Sequence, residues 1–153
     1  MEHMKRIVLA TDFSDASAGA VEHALLMSKS FGSELHILHV LEVEVPRMET
    51  GGDYLPLRYF EDLEARAAVY LADLIPAEDR EQLAPVPVVR RGNPFAEIIR
   101  YAQNEKIDLI IIGTHGRGAL GHLMMGSVAE KVVRYAPCAV LTVHDPRHSF
   151  VRP

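Results

Sequence analysis

The sequence predicts an α/β fold, a doubly wound parallel sheet of five strands with helices on both faces. Three observations carry this. Short aliphatic runs alternate with segments of helical spacing in the order β-α-β-α-β-α-β-α-β. One run, Ile107–Ile112 (IDLIII), is almost wholly apolar, as a strand covered on both faces has to be. The 153 residues are 48% apolar and 24% charged, which suits one domain with a single core.

The first strand is expected at Lys5–Thr11 (KRIVLAT). A helix follows over Ser14–Phe31, with Ala20, Val21, Ala24, Leu25, Ser28 and Phe31 on one face and Gly32 as its C-terminal cap. The second strand is Glu34–Leu41. Val45–Leu57, with two prolines and Gly51-Gly52, reads as a loop. Tyr59–Ile75 is the second helix, its inner face formed by Leu63, Ala67, Tyr70, Leu71 and Leu74. Pro85–Arg91 is a third strand whose prolines suit a sheet edge, where a missing N–H costs little. Asn93-Pro94 opens the next helix as N-cap and first-turn proline, and it runs to about Glu105. Ile107–Ile112 is the fourth strand, Ser127–Tyr135 the last helix and Cys138–His144 the fifth strand. No internal repeat or linker divides the chain, so 1–153 reads as one domain, with 144–153 as a tail.

Charge and cysteine usage narrow the function classes. A net charge of −5 argues against a broad nucleic-acid or anionic-membrane surface. No stretch approaches the roughly 18 apolar residues of a membrane span, and the N-terminal apolar run is broken at Asp12. The single cysteine, Cys138, fits a reducing compartment. The expectation is a soluble cytoplasmic protein.

Ligands of such sheets bind beyond the carboxyl ends of the strands, where the strand order reverses. Two strand ends carry unusual chemistry. The first ends in Thr11-Asp12, and the fourth opens at Gly113 into a glycine-rich joint of about 13 residues, a length usually spent on function. Gly116-Arg-Gly-Ala-Leu-Gly121 matches the dinucleotide pattern in letters only. It does not follow the first strand, and Val140-Leu141 stand where the ribose-binding acid belongs. A Gly-Lys-Ser/Thr phosphate loop is absent. The informative spacing is Gly113, Gly116, Gly126-Ser127. Gly113 allows close approach of a ligand to the strand end. Gly116 and Gly126 permit positive φ, and the amides around Gly126, Ser127 and Val128 form a helix N-terminus, an anion site to which Arg117 can add its guanidinium. Gly118 and Gly121 shape the loop. Ser127-Val-Ala-Glu130 is also a capping box, so Ser127 has two readings, cap or phosphate contact.

Gly113-x2-Gly116-x9-Gly126-Ser127 resembles the G-2x-G-9x-G-(S/T) signature of the universal stress proteins, in their ATP-binding subgroup. The opening Ile7–Ser14 (IVLATDFS), the turn Gly92-Asn-Pro94 and the closing Pro137–Val143 are similar to that family too. The resemblance implies a Rossmann-like sheet in the order 3-2-1-4-5. It implies an adenine nucleotide (ATP, ADP or AMP) with Thr11, Asp12 and Gly113 near the adenine and sugar. Main-chain groups of Val40 meet the adenine edge, and Gly116, Arg117, Gly126, Ser127 and Val128 hold the phosphates. Mg²⁺ or Mn²⁺ would bridge phosphate oxygens without a nameable protein ligand. The strand Cys138–His144, free of lysine and proline, implies a homodimer through that edge.

The rest of the polar residues read as structural. His36 and His39 leave a strand on opposite faces, His115 and His122 lack metal-ligand spacing, and all are expected at the surface or in loops. Arg90-Arg91 reads as a solvated strand end and Met124-Met125 as loop anchors. A phosphoreceiver domain is excluded, since Phe13 follows Asp12 and the third and fifth strands end in Arg90-Arg91 and His144. No nucleophile–base pair stands out, so the expected function is a nucleotide-binding regulatory protein of the stress response with an unknown protein partner. Its ATP hydrolysis or self-phosphorylation should be slow at most. The alternatives are a true ATP hydrolase or phosphotransferase and a nucleotide-independent dimeric module.

Overall fold

A computed structural model describes residues 4–42, 57–114 and 125–145. The five strands form one sheet in the order β3-β2-β1-β4-β5 with every pair parallel. They are β1 (Arg6–Ala10), β2 (Glu34–Leu41), β3 (Val86–Arg91), β4 (Leu109–Gly113) and β5 (Ala139–Val143). The central strand β1 pairs Ile7 with Leu35 on one side and with Leu109 on the other. The chain winds outward from β1 to β3, returns to β4 and winds outward again, so the order reverses between β1 and β4.

Alternation along each strand builds two cores. Ile7, Leu9, Leu35, Ile37, Leu109 and Ile111 project to one face, where α1 (Ala18–Phe31) and α2 (Leu57–Leu74) pack with Ala20, Ala24 and Leu71. Val8, Ala10, Leu38, Ile110 and Ile112 project to the other, under α4 (Pro94–Asn104) and α5 (Ser127–Tyr135) with Ile98, Ala102, Ala129 and Val132. Both faces of β4 are therefore covered, which is why its sequence shows no polar alternation.

Local chemistry sets the helix boundaries. A 3-10 turn at Asp15–Ser17 precedes α1, which stops at Gly32 in the left-handed region (φ 65°). The Asn93 side chain accepts the Ala96 amide at 3.1 Å, and Pro94 occupies the first turn of α4. Gly92 sits at φ 137°, where other residues are strained, and its amide joins the end of β2 at Leu41 O.

Several expectations need correction. A short helix, α3 (Ala77–Leu83), lies where none was expected. It buries no residue and so leaves no apolar periodicity to read. Asp79 pairs with Lys29 of α1, Arg80 Nη1 donates to Ala72 O, and Leu83 packs half-buried against the core, which together tie it down. Phe31 and Tyr70 are exposed, not inner-face residues. Arg90 is exposed, as a solvated strand end should be, and lies over Tyr101, whereas Arg91 is half-buried, pairs with Glu64 at 2.5 Å and lies over Phe60. Of the first residues of the expected tail, Asp145 is buried, while His144 is exposed with its Nδ1 3.3 Å from Thr114 Oγ1. Among the described residues no helix is long and apolar enough to cross a membrane. The loop expected at Val45–Leu57 lies outside the described residues except for Leu57, which begins α2.

Candidate functional site

A cavity of about 530 Å³ opens at the carboxyl ends of β1, β2 and β4, at the point of reversal. That volume lies within the roughly 300–1,000 Å³ usual for small-ligand sites. Leu38, Ile98 and Ile112 give it an apolar floor. Its polar groups come from three strand ends and one helix start.

At the end of β1 the chain turns sharply. Thr11 N–H still donates to Leu38 O at 3.0 Å, but Phe13 adopts φ 62°, a left-handed conformation that costs a bulky residue energy. Hydrogen bonds hold the turn. The Phe13 amide donates to Thr11 Oγ1 at 3.1 Å, and the Ser14 amide and hydroxyl donate to Asp12 Oδ1 at 3.0 and 2.5 Å. Asp12 is thereby fixed as part of the cavity wall.

At the end of β2 the ladder stops early. Leu38 faces β1, because its carbonyl takes the Thr11 amide. In a parallel pair alternate residues face the same neighbour. Val40 therefore also turns its N–H and C=O toward β1, beyond the last register pair, Ala10 with Leu38. Val40 is among the residues that border the cavity.

At the end of β4, Thr114 N–H donates to Val143 O at 2.9 Å, and Thr114 O accepts the Gly126 amide at 2.6 Å. This pair brings the start of α5 to the end of β4. The first intrahelical bond runs from Glu130 N–H to Gly126 O at 2.9 Å. The preceding amides of Ser127, Val128 and Ala129 have no carbonyl one turn back, and all three residues line the cavity. The positive end of the α5 dipole thus meets the cavity.

Of the residues expected from sequence, Thr11, Asp12, Val40, Gly113, Gly126, Ser127 and Val128 border this cavity together. Gly116, Arg117, Gly118 and Gly121 lie outside the described residues, as do His115, His122 and Met124. Three expectations are corrected. Gly126 has φ −59° and ψ 148°, so no positive φ requires glycine there, and its amide is spent on Thr114 rather than offered to a ligand. Gly126 is the N-cap of α5 and Ser127 its first residue, with no side-chain capping bond, so the capping box does not form; Glu130 pairs with Arg134 instead. Met125, expected as a loop anchor, is exposed.

His36 and His39 do leave β2 on opposite faces, but both are buried rather than at the surface. His36 Nδ1 lies 2.6 Å from the Tyr101 hydroxyl; its Nε2 is 3.5 Å from Glu34 Oε1, too far for a hydrogen bond. His39 borders the cavity, as do Ser17 and Thr114, and the sequence reading assigned none of them to a ligand site. A threonine after a glycine and a histidine in a strand carry no spacing signal.

Two groups have displaced proton affinities. Burial pushes the Tyr101 hydroxyl up to about 12; Glu105 and Glu34 reinforce the shift, while Arg90 and Arg6 oppose it. In the unfolded chain the hydroxyl ionises near 10, so this contribution is present in full below pH 10 and is lost as pH rises through 12. Two pH units correspond to about 3 kcal/mol. In alkaline unfolding titrations, Tyr101→Phe should start less stable at neutral pH, having orphaned His36 Nδ1, and should fall less steeply between pH 10 and 12 than wild type. Equal slopes would contradict the assignment. The Cys138 thiol is also pushed up, by burial and then by Asp108, against a backbone hydrogen bond from Ile110. That makes it a poor nucleophile at neutral pH.

The sequence pattern of the universal stress protein family matches residues 3–144. The chain belongs to the universal stress protein family. Among its curated relatives, universal stress protein MJ0531 of Methanocaldococcus jannaschii is 32% identical, with 94% of this chain and 84% of the relative aligned. A universal stress protein of Thermus aquaticus is 35% identical, with 91% and 98% aligned. Solved structures share the fold. Universal stress protein UspA from Lactobacillus plantarum superposes with a TM-score of 0.72 at 23% identity, covering 94% of this chain and all of that one. Protein MJ0577 of M. jannaschii gives 0.73 at 26% identity, covering 92% and 96%. The strand order 3-2-1-4-5 is thus the order of a universal stress protein.

Proposed function

We propose that this universal stress protein binds one adenine nucleotide, ATP or its di- or monophosphate, in the cavity, and that the nucleotide governs its contacts with a protein partner in the stress response. The observation that carries this reading is the start of α5, whose first residues Ser127 and Val128 border the same apolar-floored cavity as Asp12 and Val40. A flat base with a polar edge suits the Val40 side, a sugar diol suits Asp12, and an anion suits the helix N-terminus. Gly116 and Arg117 would complete the phosphate side. Two structures of the same fold were solved with such ligands: a universal stress protein in complex with cAMP (20% identity, TM-score 0.69) and one from Archaeoglobus fulgidus in complex with dAMP (16%, 0.57).

Among the described residues no three His, Cys, Asp or Glu side chains form a metal-sized group. Mg²⁺ or Mn²⁺ would therefore arrive on the phosphates and supply charge neutralisation there. Slow turnover is the expectation, because Asp12 is engaged with Ser14 and placed at the sugar end. The chain has no tryptophan and five tyrosines, so bound adenine would dominate absorbance near 260 nm. Purified protein should release an adenine nucleotide on acid extraction, or take one up when ATP is added before gel filtration. A spectrum that stays free of adenine after both steps would refute the reading.

We further infer one domain, cytoplasmic, that pairs through β5. This strand is the sheet's outer edge and carries neither lysine nor proline across Ala139–Val143. Light scattering should return twice the 17.0 kDa chain mass at micromolar concentration; a 17.0 kDa species would contradict the dimer.

A further inference from the structure

His39 stands at the junction of the two strand ends that form the base and sugar side of the cavity. The residue is buried and borders the cavity, and its Nδ1 lies 2.8 Å from Thr11 O. A carbonyl can only accept, so Nδ1 carries the proton and donates. The ring also packs on Phe13 with centroids 4.3 Å apart, and Phe13 in turn meets Tyr70 at 5.6 Å. His39 therefore grips both neighbours of Asp12, the residue before it by a hydrogen bond and the residue after it by ring contact.

The hydrogen bond to Thr11 has a second consequence. If the parallel ladder of β1 and β2 ran one step further, Thr11 O would be the acceptor for Val40 N–H. That bond is not formed; the imidazole occupies the carbonyl instead. The ladder ends at Ala10 and Leu38, the chain is released into the left-handed residue Phe13, and Val40, beyond the last register pair, borders the cavity.

We propose that His39 is a positioning residue of the ligand site: by taking the Thr11 carbonyl and packing on Phe13 it ends the β1–β2 ladder, leaving the Val40 main chain to read the base and holding Asp12 at the sugar. The inference rests on the nucleotide reading above. It assigns the donor atom Nδ1 and not the ring as a whole, and this makes it testable. Asparagine presents an amide N–H close to the Nδ1 position, whereas glutamine reaches toward Nε2, and leucine fills space without donating.

The experiment measures ATP and GTP affinity by calorimetry for wild type, His39→Leu, His39→Asn and His39→Gln, with far-UV circular dichroism to confirm the fold. One hydrogen bond is worth about tenfold in affinity. His39→Leu should lose roughly that factor for ATP, and much of its discrimination against GTP, because the Val40 edge is no longer presented. His39→Asn should recover both better than His39→Gln. A merely structural histidine would lower thermal stability without changing the ATP-to-GTP ratio. If His39→Leu does not fold, the asparagine–glutamine contrast decides, and equal loss in both overturns the proposal. Unchanged affinity and ratio in a folded His39→Leu also overturn it, with wild-type binding intact. Wild type that binds no adenine nucleotide overturns the nucleotide reading and this inference together.

Discussion

Gly126→Val is expected to lower adenine-nucleotide affinity on the order of a hundredfold while leaving the protein folded. The backbone there, at φ −59° and ψ 148°, is one that valine adopts without strain. The Gly126 amide can keep its bond to Thr114 O, so the joint between β4 and α5 survives. Valine is a poorer N-cap than glycine, which costs about 1 kcal/mol of stability at most. The larger effect falls on the ligand. Gly126 forms part of the cavity wall beside the amides of Ser127 and Val128, and a branched side chain there keeps a phosphate from reaching them. Charge-assisted hydrogen bonds are worth about 1.5–3 kcal/mol each, and two lost at the low end give the hundredfold estimate. Gly126→Ala should fall between the two. Calorimetry with circular dichroism as a fold check measures this, and wild-type affinity in a folded Gly126→Val protein would place the ligand elsewhere.

Ile110→Ala should cost about 3–4 kcal/mol and lower the melting temperature by roughly 10 °C. Ile110 is fully buried at the middle of β4, in the layer under α4 and α5 with Tyr101, Ala102 and Val132. With strands on both sides and helices above, little can collapse into the space left by three carbons, so the cavity term adds to the transfer term. The ligand wall begins two residues later, at Ile112, so nucleotide affinity at 20 °C should change little. Denaturant unfolding with unchanged slope and a lower midpoint is the expected signature; a midpoint within the error of wild type would mean that β4 is not the centre of this core.

The contrast between these two sites shows what the sequence discloses. Ile110 belongs to a pattern, because burial on both faces of a strand leaves a run of apolar letters that composition alone reveals. The same holds for Asn93-Pro94 and Gly32, whose side-chain chemistry is local and therefore readable one residue at a time. Gly126 stands out by spacing, but the need for positive φ expected of it is a property of the folded backbone, and here φ is negative. Ser127 likewise carries the letters of a capping box, yet the N-cap position falls to Gly126, whose amide goes to Thr114 O. That bond links residues twelve apart, and no local rule anticipates it. α3 escaped because it buries nothing, and His39 because its role is to intercept a bond that a neighbouring strand would otherwise form. Sequence patterns report what a residue buries; they do not report which hydrogen bond it displaces.

Titration of the purified, nucleotide-stripped protein with ATP and Mg²⁺ tests the central claim most directly. The account predicts a saturable heat with close to one nucleotide per chain, lost in Gly126→Val and retained in Ile110→Ala below its melting temperature. No heat and no saturation up to millimolar ATP, from protein shown to be folded, would contradict it.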